Sequence, residues 1–134
     1  MPSIQQLKLL INLARMDGDV AEKERQYIIN IGQANHLLVA EILPLFSGSD
    51  SEVIVPSDLN SEEKFEYIFS LIQLTKIDEK VYRNEIKYCA QVASALGYRQ
   101  DVLFELMLKV KSTAMEKDEL EALKKLTATY LLHS

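Results

Sequence analysis

The sequence has no tryptophan, one cysteine, two histidines, three prolines and four glycines in 134 residues. Each scarcity excludes something. A lone thiol, Cys89, closes no intramolecular disulfide, which rules out a disulfide scaffold and fits a reducing compartment. So few glycines and prolines favour long helices over a strand-and-turn fold. His36 falls at an expected helix end and His133 beside the last residue, positions that suit solvated histidines better than a general base. There is no Gly-x-Ser-x-Gly, no phosphate-cradling glycine loop and no His-Glu-x-x-His, so no enzyme is expected. Basic residues are outnumbered 15 to 20, for a net charge of −5, and are interleaved with acids. That pattern belongs to solvated helix faces and excludes a phosphate-binding surface, so no nucleic-acid partner is expected. No apolar run approaches the ~18–20 residues that span a bilayer. The opening Met1-Pro2-Ser3-Ile4-Gln5-Gln6 lacks the charged and apolar regions of a signal peptide. The expectation is a soluble, cytoplasmic protein without a transmembrane segment.

What is present is an apolar periodicity. With 48% hydrophobic and 26% charged residues, the chain can bury a core as one domain spanning 1–134. Ile4, Leu7, Leu10, Ile11 and Ala14 recur at helical spacing behind a Ser3/Gln6 capping-box pair, predicting a helix over 3–16. A second helix is predicted over 20–34, with Asp19/Glu22 or Ala21/Glu24 as its cap. Asp19 is preferred on chemistry, because its side chain can accept from the first amides. Tyr27, Ile28, Ile31 and Ala34 form its inner face, and Asn35 or His36 stops it, both tolerating positive φ. The apolar 38–46 contains Pro44, which interrupts any continuous helix. Asn60/Glu63 caps a very apolar helix to about 77. Another follows over 82–96, stopped by Gly97. Helices over 99–110 and from Thr113, with Glu116 at the box position, complete the chain. Val102, Leu103, Leu106 and Val110 face inward on the first of these. Leu120, Leu123, Leu126, Tyr130 and Leu131 do so on the second.

About seven helices and no strand define an all-α, compact multihelical domain. It also reads as an internal duplication. Sliding the sequence by 61 residues lays Leu71, Ile72, Leu74, Asp78, Val81 and Glu85 over Leu10, Ile11, Leu13, Asp17, Val20 and Glu24. Tyr88 then falls on Tyr27 and Ala95 on Ala34. Repeat one covers about 3–46 and repeat two about 60–132, joined by 47–59. Each is a helix, an acidic elbow and a second helix, and the helices 3–16 and 60–77 are expected at the centre. Cys89 aligns with Ile28 on an inward face and reads as a buried structural thiol. Tyr27 and Tyr88 are expected to pack with their hydroxyls on polar groups.

The elbow acids carry the one feature of chemical interest. Asp17 sits at a helix C-terminus, where negative charge is disfavoured by ~0.3–1 kcal/mol. The chain reverses at Gly18, so Asp17 and Glu24 lie on opposite arms of the elbow, with Asp19 and Glu22 close by. Clustered carboxylates at a turn are how proteins hold a divalent cation such as Ca²⁺. In the competing reading Asp17 accepts from helix amides, Glu24 caps its own helix, and Arg15 and Arg25 neutralise the rest. The elbow is not an EF-hand: with Asp17 first, Glu22 takes the turn-glycine position and Ile28 the bidentate-glutamate position. Asp78 and Glu85 form the poorer second copy, where Glu79 and Lys80 replace Gly18 and Asp19.

Ala14-x-x-Asp17-Gly18-x-Val20-x-x-x-Glu24 resembles the signature of the bacterial TerB-like domains, named for a tellurite-resistance protein, and the likeness extends over nearly the whole chain. The resemblance implies a duplicated multihelical fold and a non-enzymatic role in stress-response or membrane-associated complexes, hence a protein partner. It also implies a divalent-cation interaction through Asp17 and Glu24. Thr75 and Glu79 stand where the family has Ala and Gly, which points to the first elbow over Asp78 and Glu85. The sequence predicts no oligomeric state, partner identity or specific tie to tellurium chemistry.

Overall fold

A computed structural model describes residues 3–16, 20–47, 55–56, 58–77 and 83–132 of the chain. Among them are seven α-helices: α1 (Ser3–Ala14), α2 (Glu22–Ala34), α3 (Val39–Ile42), α4 (Ser61–Ile77), α5 (Arg83–Leu96), α6 (Val102–Lys109) and α7 (Lys117–Ala128). A 3-10 turn, Leu43–Ser47, continues α3 where Pro44 removes a helical donor. No strand occurs among the described residues, only an isolated antiparallel bridge between Tyr98 and Leu131. The all-α reading therefore holds, and among the described residues no single helix is long and apolar enough to cross a membrane.

The fold is built on α4. Nine of its residues are buried, from Phe65 to Thr75, and it packs against α1, α2, α5, α6 and α7. From Phe65 to Thr75 the burial runs round most of the helix, which requires neighbours on several sides. Leu7, Leu10 and Leu13 of α1 meet Ile68, Leu71, Ile72 and Leu74 in one core, each at most 1% exposed. Each such side chain contributes about 1.5–3 kcal/mol by burial. Exposed ion pairs such as Lys124–Glu62 at 4.0 Å contribute about 0–1 kcal/mol. The core, not the surface charge, holds the helices together.

Helix ends follow local chemistry, with two corrections. Asn60 and Glu63 form both halves of a capping box, at 2.9 and 3.0 Å. His36 at φ 69° ends α2 and Gly97 at φ 95° ends α5. At α2, however, the cap is Ala21 and not Asp19: the Glu24 carboxylate accepts the Ala21 N–H at 3.2 Å. This half of the box needs no side chain at the cap itself, so the chemical preference for Asp19 did not decide. The same happens at α7, where Glu119 accepts the Glu116 N–H at 3.0 Å. The helix therefore starts after Glu116 and not near Thr113.

Other expectations shift as well. Ile4 is 41% exposed, because the first turn of α1 extends past the core. The Gln6 side-chain N–H donates to α4. α7 stops at Ala128, so Tyr130 and Leu131 lie beyond it. There Arg99 N–H donates to Tyr130 C=O and Leu132 N–H to Gly97 C=O, both at 2.7 Å, closing the end of the chain onto the turn after α5. α5 begins 61 residues after α2 and runs one residue longer, whereas α4 overruns the offset copy of α1 at both ends, so the helix bounds do not by themselves establish a duplication; Ile28 and Cys89 are both buried.

Candidate functional site

Glu24 and Glu85 are 2% and 1% exposed, extreme burial for carboxylates, which ordinarily stay in water unless paired. Each lies in the first turn of its helix, α2 or α5, where the exposed amides favour an anion. Glu24 is fastened to the Ala21 amide. Glu85 lies close enough to Cys89 for its charge to add to the burial that pushes that thiol up to about 12. Asp17, Asp19 and Asp78, the remaining members of the expected cation sites, lie outside the described residues. Among the described residues no cluster of three or more His, Cys, Asp or Glu side chains is arranged to hold a metal ion. The Arg25 guanidinium sits over the Phe46 ring at 4.7 Å, joining α2 to the 3-10 turn.

Tyr27 and Tyr88 behave as expected of packed tyrosines. Tyr27 donates to Gln73 Oε1 at 2.8 Å, and Tyr88 donates to the Leu9 carbonyl at 3.1 Å. Gln73 in turn donates to the carbonyls of Lys111 and Thr113, at 2.9 and 3.1 Å. This partly buried chain of bonds ties α2 through α4 to the connection between α6 and α7. Burial raises the Tyr27 and Tyr67 hydroxyls above their ordinary range and Tyr98 to about 12.

A second feature escaped the sequence altogether. A cleft of about 370 Å³ opens between α1, α2, α4 and α7, within the size range of ligand and side-chain pockets. Its apolar wall is Ile31, Phe65, Phe69 and Leu120, the two rings stacked with centroids 5.4 Å apart. Gln6 lies at its inner side, donating to Ser70 Oγ at 3.1 Å and to the Glu66 carbonyl at 3.4 Å. Charges of both signs ring it: Lys117 and Lys124 against Glu66 and Glu121. Lys124 lies 3.9 Å from Glu121 and 5.9 Å from the Phe65 ring centre. Partial burial raises the Glu66 carboxyl, with Glu62 and Glu63 adding to the rise and Lys124 opposing it. Leu120, expected to be buried, is half exposed because it forms a wall of this opening.

Comparison of the chain with protein-family models, with curated proteins and with solved structures finds no match. The TerB-like resemblance therefore rests on the elbow signature and its repeat within the chain.

Proposed function

We propose that this chain is a non-enzymatic helical interaction module of the TerB-like kind, serving as a scaffold or adaptor in a bacterial stress-response assembly. The observation that carries the reading is the cleft. It offers stacked aromatic rings to an apolar side chain and lysines and glutamates to its polar flanks. An apolar anchor surrounded by polar contacts is how a few residues come to dominate a protein interface. The partner expected is a protein segment that places one large apolar side chain against Phe65 and Phe69.

The test is affinity capture from the source cell with the wild-type chain and with Leu120→Glu, which puts a charge on the cleft wall without entering the core. A partner retained by the wild type and lost with Leu120→Glu supports the reading. Identical captured sets from both proteins overturn it.

The second reading is a cation-responsive protein whose first elbow binds a divalent ion through Asp17 and Glu24. The burial of Glu24 favours some compensating partner for its charge. Its bond to the Ala21 amide favours helix capping as that role.

A further inference from the structure

Phe104 and Leu108 are 74% and 82% exposed, one turn apart on α6, on the side opposite the buried Val102, Leu103 and Leu106. Large apolar residues at such exposure are ordinary when scattered singly, but two on one helical stripe form a patch. The patch extends on one flank through Met107 to Ile86 of α5, which lines the same small gap as Met107 and is 44% exposed. The other flank is charged. Glu105 lies toward the N-terminus and Lys109 toward the C-terminus of the helix, 4.0 Å apart in a solvent-exposed pair.

We propose that this face binds a second copy of the chain, with the two α6 helices antiparallel about a two-fold axis. In an antiparallel pair related by a two-fold, each flank of a helix faces the same flank of its partner, run in reverse. Phe104 then packs on the partner's Leu108, and the apolar flank of Met107 and Ile86 meets its own copy. On the charged flank, Glu105 faces the partner's Lys109 and Lys109 the partner's Glu105. The N-terminal end of each helix also lies beside the C-terminal end of the other, which suits both dipoles. A parallel pairing loses the dipole match and sets the charged flank of each helix against the apolar flank of the other. The surface is thus complementary to itself in one orientation.

α6 has eight residues, a length of about 12 Å, so the interface is small. Contacts burying less than ~1,200 Å² are characteristically weak and transient. The dimer is accordingly concentration-dependent. This inference is independent of the cleft, to which α6 contributes no lining residue.

Sedimentation velocity from about 10 µM to about 1 mM, where weak dimers assemble, tests it on the whole chain. The apparent mass should climb from 15.3 kDa toward twice that value. The Phe104→Ser/Leu108→Ser double variant should stay at the monomer mass, its melting profile showing that it is folded. E105K and K109E should each weaken association roughly ten-fold, by turning two attractive pairs into repulsive ones. Mixing E105K with K109E in equal amounts should restore it, because every facing pair is then opposite in sign. A wild type that stays monomeric throughout overturns the proposal and assigns the patch to a different protein. So does a dimer that survives the serine substitutions. A mixture that fails to re-associate refutes the antiparallel arrangement.

Discussion

Gly32→Ala sets two effects of opposite sign against each other. In an open helix interior the substitution stabilises by about 1 kcal/mol, because alanine gives up less backbone freedom on folding. At this position, near the end of α2, the new Cβ would stand 2.5 Å from Ile42 Cδ1, 2.9 Å from Ile42 Cγ1 and 3.1 Å from Leu7 Cδ1. Carbon atoms pack comfortably at about 3.5–4.0 Å. Ile42 and Leu7 are both fully buried, so neither has solvent to move into, and two atoms of one side chain are met at once. Overpacking of this kind costs about 1–3 kcal/mol. The crowding places the cost in the upper half of that range, for a net loss of about 1–2 kcal/mol after the helix gain. Urea titration followed by circular dichroism should show a lower midpoint at unchanged slope. Ile42→Val removes the nearest atom and alone costs about 0.5–1.5 kcal/mol. Combined with Gly32→Ala it should cost clearly less than the sum, as expected of residues in contact. A Gly32→Ala protein more stable than wild type would refute the close approach of α2 to α3.

Leu71→Ala, in the centre of α4, should cost about 2–5 kcal/mol, and a loss under ~1 kcal/mol in denaturant would show that α4 is peripheral. Cys89 should resist a thiol reagent at neutral pH until the chain unfolds, its burial holding the thiol protonated up to about 12; prompt labelling of the native protein would contradict that burial. The raised groups Tyr27, Tyr67, Cys89 and Tyr98 also fix a sign for alkaline stability. In the unfolded chain they lose protons near pH 9–10, their ordinary values. The folded state then binds more protons, so stability is intact below that range and falls as pH rises through it, by at most ~1.4 kcal/mol per unit for each group. Urea midpoints unchanged from about pH 8 to about pH 11 would refute it. If the elbow holds a cation, millimolar Ca²⁺ should raise the melting temperature relative to chelator, with a gain of ~2.7 kcal/mol at a hundredfold excess over the dissociation constant. Asp17→Asn should abolish the rise. Superimposable wild-type melts would assign the elbow acids to helix capping.

Much of the helical layout was readable because its signals are local. Asn60/Glu63, His36 and Gly97 act within a turn or two, and the apolar stripes of α1 and α4 are long enough to leave one reading. Leu10, Leu13, Leu71, Ile72 and Leu74 are accordingly in the core. The caps at Ala21 and Glu116 were misplaced because the expected chemistry was that of the cap side chain. The deciding contact came from a glutamate three residues later. The cleft was illegible for a different reason. Gln6, Ile31, Phe69 and Leu120 belong to four helices far apart in the chain, and only packing brings them to one opening. The outward stripe of α6 was in plain sight, but the inward Val102, Leu103 and Leu106 took the helical period and left Phe104 and Leu108 unremarked.

The bridge between Tyr98 and Leu131 gives the second half of the fold an unusual economy. α6 and α7 form an excursion that leaves the turn after α5 and returns to it, fastened at the neck by two backbone bonds, Arg99 to Tyr130 and Leu132 to Gly97. These amides belong to no helix, yet their partners are carbonyls on the other side of the neck. Their exchange with solvent therefore depends on the neck opening, not on the fraying of a helix end. Native-state hydrogen exchange at Arg99 and Leu132 would therefore report the opening of the neck itself, separately from the helices on either side of it.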